Sequence, residues 1–400
     1  MPYNLAIVST HPIQYHAPWF RGLAAHPDLK MHVYYCHKAT PEEQGRAGFG
    51  VAFDWDVPLL RGYPHTFLRN VANPVGSSRF ARFDNPEIKN IIRQGQFDAV
   101  LINGWHYKSA WQAIWTCWQS KVKVMVRSDS HLHTPRSLPM RLAKSFAYPC
   151  FIPRFDACLA VGQWSREYFL HYGASPERIF LVQHAVDINA MEGDVDHLRS
   201  TRAELRQRWS LDPHATTFVF VGKFTETKRP MDFVRAVSEA AKRDAAVQGL
   251  MVGDGPLRNV CEDFARTRHV PITFTGFLNQ SQIIGGYIAA DALVLPSAGE
   301  TWGLVVNEAM ACGRPCFVSD RVGCGPDLIE AGRTGAIFPL GDVDAIASFM
   351  TGLARDPCHL ALMSAEARRK IQKHSMQAAV EGVLQCLYAI AGSGTLVCNC

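Results

Sequence analysis

At 400 residues, 48% hydrophobic and 19% charged, the chain has an ordinary globular composition and enough apolar material for about two cores. A net charge of +5 is too mild to indicate a nucleic-acid partner. The 12 cysteines include no CxxC pair and no His/Cys cluster of zinc spacing, Cys312/Cys316 and Cys398/Cys400 coming nearest, and no run reaches the ~20 apolar residues of a membrane span. MPYNLAIVST lacks the basic flank and apolar core of a targeting segment, so the expectation is a reduced, cytoplasmic protein.

Asn4 to Val8 reads as a buried parallel strand ending in the polar loop Ser9–His16, which contains His11. A helix follows through Trp19–Arg21, then a strand over Lys30–Cys36. Thr40 to Val75 is Gly/Pro-rich and aperiodic, and only irregular structure is expected there; Pro86–Gln94 reads as a helix. Phe97–Ile102 is a strand ending at Asn103–Tyr107, which includes His106; Ser109–Gln119 is a helix. Val122–Val126 is a strand ending at Arg127-Ser128-Asp129. Three strands thus end in polar loops, and ligands of doubly wound folds bind at that sheet edge. His11, Arg127 and Asp129 are the candidates there, although a lone strand-end histidine also fits a structural hydrogen-bonding role.

Pro135–Arg154 combines Arg136, Arg141, Lys144 and Arg154 with Leu138, Met140, Leu142, Phe146 and Phe151. This basic amphipathic stretch is compatible with peripheral contact to an anionic membrane, as well as with an ordinary surface helix. Asp156–Val161 is a strand and Ser165–Tyr172 a helix; Phe180–His184 closes the half, and His184–Asp187 reads as a linker.

In the second half, Thr201–Trp209 is a charged helix and Thr217–Val221 a buried strand. The latter leads into Gly222-Lys223-Phe224-Thr225-Glu226-Thr227-Lys228-Arg229-Pro230, a glycine turn with cations before a helix, which suits a phosphate. A strand from Gly249 ends at Gly253-Asp254-Gly255-Pro256; Arg258 occupies the third glycine position of GxGxxG, so a dinucleotide site is weakly supported. Ile272–Thr275 is a strand, Ser281–Ala289 a helix and Ala292–Leu295 a strand. After Pro296 come Glu300, Trp302-Gly303, and a helix from Leu304 to Cys312 that carries Glu308. A strand, a polar turn and a helix N-terminus form an anion site, and the two carboxylates add acceptors for hydroxyls. Cys316–Ser319 is a strand, Gly335–Phe338 looks hairpin-like, and helices lie over Asp342–Ala354 and Ala365–Ile390, before a loose tail from Gly392. Alternating strands and helices predict two Rossmann-like α/β domains facing each other across a deep cleft.

VGKFTETKRP, VGDGP, FTGF, AADALVLPS, ETWGLVVNEAMACGRP and GRTGAIF occur in one order between Val221 and Phe338. With these motifs the chain resembles the retaining glycosyltransferases of the GT-B fold, family 4. The resemblance implies an acceptor domain over 1–185, a nucleotide-sugar donor domain over 186–375, and a C-terminal helix and tail over 376–400 that return to the first domain. It further implies that Gly222, Lys223 and Lys228 meet the donor diphosphate, Glu300 the sugar and Glu308 the ribose. Gly276 and Phe277 would lie at the base, and Gly303, Leu304 and Val305 would present backbone N–H groups. The implied reaction is front-face, retaining, hexosyltransferase-type transfer to a glycan or lipid-linked acceptor, with no cofactor and no metal. A sugar-nucleotide epimerase or phosphorylase of the same fold, or a catalytically silent sugar-nucleotide-binding subunit, are the alternatives. The first half departs from the family: THPIQYH replaces its glycine-rich loop, and Ser128, between Arg127 and Asp129, stands where many members have histidine.

Overall fold

The structure is a computed structural model and describes residues 2–45, 52–72, 78, 80–243 and 246–392. The expected loose tail and the Cys398/Cys400 pair fall, beyond Gly392, outside the described residues. In chain order the first half runs β1 (Tyr3–Ser9), α1 (Ala17–Ala24), β2 (Leu29–Tyr35), α2 (Pro41–Gln44), β3 (His65–Phe67), α3 (Ile88–Gln94), β4 (Ala99–Asn103), α4 (Lys108–Ser120), β5 (Lys123–Ser128), α5 (Leu138–Ala147), β6 (Ala157–Ala160), α6 (Gln163–His171) and β7 (Ile179–Leu181). It continues with α7 (Ile188–Ser200), α8 (Arg202–Arg208), β8 (Thr216–Val221), α9 (Pro230–Arg243), β9 (Val247–Val252), α10 (Arg258–Thr267), β10 (Ile272–Gly276), α11 (Gln280–Ala289), β11 (Ala292–Leu295) and α12 (Leu304–Ala311). The chain ends with β12 (Cys316–Ser319), α13 (Gly325–Leu328), β13 (Gly335–Phe338), α14 (Val343–Arg355), α15 (Pro357–Gln372) and α16 (Met376–Ala391).

The chain folds into two units. One holds residues 1–39, 58–184 and 376–400, the other 40–57 and 185–375. The first contains a seven-stranded sheet of order β3-β2-β1-β4-β5-β6-β7, the second a six-stranded sheet of order β10-β9-β8-β11-β12-β13. Every pairing is parallel. Helices cover both faces of such sheets, which is why the central strands are apolar throughout: Leu5, Ala6, Ile7 and Val8 of β1, and Phe218, Val219 and Phe220 of β8, are all fully buried. In both sheets the order reverses beside the first strand of the unit, at β1/β4 and at β8/β11. Helices leave in opposite directions from these two strands, and the diverging loops open a crevice at their carboxyl ends.

Three sequence expectations are corrected. Gly335–Phe338 is not a hairpin: β13 is a parallel edge strand in register with β12, Cys316 opposite Gly335. Thr40–Val75 is not wholly irregular, since it contains α2, closed by a Thr40/Glu43 capping box, and β3, which pairs with β2. By contrast, the expected linker at His184–Asp187 does lie where the chain passes from one unit to the other, ahead of α7, although His184 itself is buried. In α5 one cation departs from the expected surface position: Lys144 is buried, while Arg141 is exposed together with Leu138, Met140, Leu142 and Phe146.

α16 belongs to the first unit. Tyr388 Oη donates to Asp28 Oδ2 (2.9 Å), and Gly382 lies so close to β7 that a Cβ there would fall 2.3 Å from the Leu181 carbonyl oxygen. Among the described residues the cysteines are free thiols, mostly buried. No described helix is long and apolar enough to cross a membrane.

Candidate functional site

At the β8/β11 reversal the second unit gathers most of the expected donor residues. The loop Gly222–Arg229 is pinned by Phe224, which is fully buried and packs edge-on against Phe220 and Phe274. Backbone bonds then lace neighbouring loops together: Gly222 N–H to Val252 O (3.0 Å), Gly253 N–H to Gly276 O (2.9 Å) and Phe224 N–H to Asp254 O (2.8 Å). Lys223 and Lys228 project from this anchored loop. Burial first, then the Lys228 charge, holds Lys223 below its ordinary pKa, with Glu300 pulling the other way.

Lys228 Nζ forms a short ion pair with Glu300, which also accepts from Ser297 Oγ (2.9 Å). Ala298 N–H donates to Thr227 O (2.7 Å), tying the cationic loop to the turn that carries Glu300. That turn is held in place by Trp302 Nε1–H, which donates to Asn307 Oδ1 (2.8 Å) in the core. Gly303, in the left-handed region at φ +104°, then starts α12. The N–H groups of Leu304 and Val305 open the helix and have no carbonyl partner within it. Thus two cations, a helix N-terminus and a carboxylate gather where β8 and β11 end.

Glu308 sits one turn deeper and is 9% exposed. It accepts from Tyr287 Oη (2.7 Å) and Gln280 Nε2 (3.3 Å). Burial raises its pKa, and those two bonds pull it back. A carboxylate offers about four acceptor positions, so room for hydroxyls remains. Gly276 and Phe277 lie at the end of β10, next to a contact that sequence reasoning missed. Phe53 packs on Phe277 (4.6 Å between ring centres), Asn279 Nδ2 donates to Asp54 O (2.7 Å), and Ser281 N–H donates to Asp56 (3.2 Å). The only cue in the sequence was the aromatic-acidic run Phe53-Asp54-Trp55-Asp56 inside a Gly/Pro-rich stretch. Arg258 is engaged by Asp254 and Glu262 (both 2.7 Å), consistent with the weak dinucleotide reading.

At the β1/β4 reversal the first unit forms a pocket of about 180 Å³ that brings together Thr10, His106, Arg127, Ser128 and Asp129. His11 stands beside it, its Nδ1 3.0 Å from Thr10 Oγ1. The structure also adds Tyr15, His16 and His184, which the sequence reading did not select. Arg127 is largely structural: it donates to the Val182 and Gln183 carbonyls (3.2 and 3.3 Å), contacts His184 Nδ1 (3.2 Å) and lies 4.8 Å above the Trp19 ring. Desolvation lowers its pKa to about 10. Ser128 is committed as well, its hydroxyl accepting from Ser130 N–H (3.1 Å) and its carbonyl from Ser165 Oγ (2.6 Å).

His16 and His184 stack with ring centres 6.4 Å apart. Both are held well below the ordinary imidazole pKa, by burial first and then by the Arg127 charge. The folded state keeps them neutral, whereas an unfolded chain protonates them as pH falls below ~6.5. Their contribution to stability is therefore complete above that pH and is lost below it, by up to about 1.4 kcal/mol per pH unit for each histidine. Urea melts at pH 7.5 and 5.5 should show this loss, and His184→Gln should flatten the slope; an unchanged slope refutes the assignment.

Comparison with known proteins matches residues 20–190 to a Glycosyltransferase Family 4 model and residues 215–356 to a Glycosyl transferases group 1 model. A D-inositol 3-phosphate glycosyltransferase of Rhodococcus opacus is 31% identical over 225 residues, 54% of this chain and 49% of that protein. A sulfoquinovosyl transferase of Arabidopsis thaliana is 26% identical over 275 residues, 64% and 52% of the two chains. The chain spans about half the length of the curated relatives it matches. Among solved structures, a glycosyltransferase from Rickettsia africae superposes with a TM-score of 0.76 over 98% of this chain and 100% of its own, at 15% identity. Anabaena HepE, solved with UDP and glucose, superposes with a TM-score of 0.67 over 96% and 98%, at 16% identity.

Proposed function

We propose that this chain, which belongs to the family 4 glycosyltransferases of the GT-B fold, transfers a hexose-type sugar with retention from a nucleoside diphosphate sugar to a glycan or lipid-linked acceptor. The observation that carries the reading is the gathering of Lys223, the Lys228–Glu300 pair and the start of α12 at the carboxyl ends of β8 and β11. Lys223 and Lys228 neutralise the donor diphosphate, and the α12 N-terminus adds its partial positive charge. Glu300 accepts from sugar hydroxyls, Glu308 from the ribose, and Gly276 and Phe277 contact the base. In the front-face step the bond from the anomeric carbon to the diphosphate breaks and the bond to the acceptor oxygen forms. The acceptor proton passes to the departing phosphate oxygen, leaving a nucleoside diphosphate. His11, His106 and Asp129 of the first unit face the acceptor. No cofactor takes part, and the two lysines do the work of a divalent metal, so turnover should persist in EDTA.

The test is to supply UDP-, GDP- and ADP-sugars and to follow nucleotide release with and without candidate acceptors. Acceptor-stimulated release from one donor, with the anomeric configuration kept in the product, is the expected result. Binding of a donor without turnover on any acceptor would instead mark a silent binding subunit.

The protein is further proposed to act in the cytoplasm, touching an anionic membrane surface through α5. Exposed Leu138, Leu142 and Phe146, the last 78% exposed, lie among Arg136 and Arg141. Phosphatidylglycerol vesicles should co-sediment the protein, high salt should release it, and Leu142→Ser/Phe146→Ser should abolish retention. No sedimentation at low salt removes this contact.

A further inference from the structure

We infer that a second pocket of the first unit, formed by the loop after β5 together with α5 and α6, binds a phosphate or pyrophosphate group. It belongs to the first unit, whereas the proposed donor residues belong to the second, and it rests on the transfer reading only for its consequence, that the acceptor is phosphorylated. The cavity is about 580 Å³, and Arg136, Arg141, Lys144, His133 and His171 line it with Tyr168. No carboxylate is among its described lining residues. An accumulation of cations with no acid is unusual for a solvated surface, where charges of both signs mix.

Lys144 is the decisive residue, because it is not solvated: it is 6% exposed. Its Nζ donates to Tyr168 Oη (3.1 Å) and lies 4.8 Å from the centre of the Tyr148 ring. These partners are neutral, and among the described residues neither Lys144 nor Arg136 or Arg141 forms an ion pair. A buried ammonium needs a counter-charge, and its deprotonation is the alternative. Burial, followed by the Arg136 charge, already draws its pKa down to about 8. An oxyanion supplies what is missing: charge for Lys144, acceptors for its two remaining N–H donors, and a fork partner for each guanidinium. The volume exceeds that of one phosphate, so the rest of a larger phosphorylated molecule also fits. Desolvation, then the Lys144 charge, lowers the pKa of His106 in the pocket at the β1/β4 reversal.

The experiment is calorimetric titration of the full chain with pyrophosphate in saturating UDP, which occupies the proposed donor crevice. Saturable binding is expected with Kd below about 1 mM, weakened at least about tenfold by Arg136→Gln/Arg141→Gln, whose side chains are exposed, and by Lys144→Met. Lys223→Ala/Lys228→Ala should leave it unchanged. The inference is overturned by the absence of saturable heat, or by heat that survives the arginine changes and is lost with the two lysines of the donor loop. Phosphatidylcholine vesicles with and without phosphatidic acid distinguish the sources. Retention that requires phosphatidic acid, is competed by pyrophosphate and is lost in the arginine variant assigns a lipid phosphate; pyrophosphate binding without such retention assigns a soluble one. Nucleotide release from the donor is measured on the same preparation, so a failed transfer reading and a failed pocket give different results.

Discussion

Glu300→Gln and Lys228→Met each lower acceptor-dependent kcat/KM by about 10²- to 10³-fold, the scale seen when one preorganised electrostatic contact is removed. The reason is in the geometry. The Lys228 side chain is 26% and that of Glu300 11% exposed, so their charges act in a partly desolvated crevice. On the proposed reading, Lys228 stands where negative charge grows on the departing diphosphate and Glu300 positions the sugar. The short Lys228 contact and the Ser297 bond to Glu300 also hold that lysine in place. Either substitution removes the same ion pair, so the double variant should lose much less than the product of the single losses. Steady-state nucleotide release over a range of donor concentrations checks this. Single losses below about threefold, or fully multiplicative ones, sink the assignment.

Gly253→Ala should unfold the second unit at lower temperature and weaken nucleotide binding together with it. Gly253 has φ +133°, a conformation that side chains rarely adopt, and a Cβ there would fall 1.9 Å from the Gly222 carbonyl oxygen. This is backbone against backbone, and both loops are pinned, Gly222 N–H to Val252 O and Gly253 N–H to Gly276 O. One methyl group therefore forces the ends of β8, β9 and β10 apart. Left-handed strain alone costs about 1–3 kcal/mol and overpacking about as much again. A cost of about 3–5 kcal/mol is a large part of a typical stability of ~5–15 kcal/mol and lowers Tm by roughly 10 °C. Gly299, in the same region but with nothing within 4 Å of its Cβ position, is the control, and Gly299→Ala should leave Tm nearly unchanged. Equal Tm values for the two variants would refute the argument.

The proposed donor crevice is legible in the sequence because its parts are close along the chain. Glu300, Gly303 and Glu308 lie on one strand–turn–helix, and Lys223 and Lys228 on one strand–loop–helix. The ordered motifs placed both at strand ends, and the sheet order then set those ends side by side. The pocket of the first unit was only half visible. His106, Arg127 and Asp129 were expected at one edge and do line one pocket, but Arg127 spends its hydrogen bonds on the Val182 and Gln183 carbonyls. A basic residue at a strand end looks the same in sequence whether it faces a ligand or clamps a neighbouring loop.

What the sequence determined by itself was the alternation of buried strands and helices, the two-unit α/β organisation and the ordered motifs at the strand ends of the second unit. Each of these is written in local periodicity and short spacings, which depend on neighbours within a few residues. Only the tertiary structure decided the rest. β3 is a strand because β2 offers it a ladder, not because of its three residues. Residues 53–56 pack on Phe277 and α11, far along the chain, and His16 meets His184 across the sheet edge. Lys144 is turned inward to Tyr168 while Phe146 faces out, against the polarity that composition suggests. Such partners are brought together by sheet order and packing of distant segments, and their energies come from burial and pairing that no local pattern records.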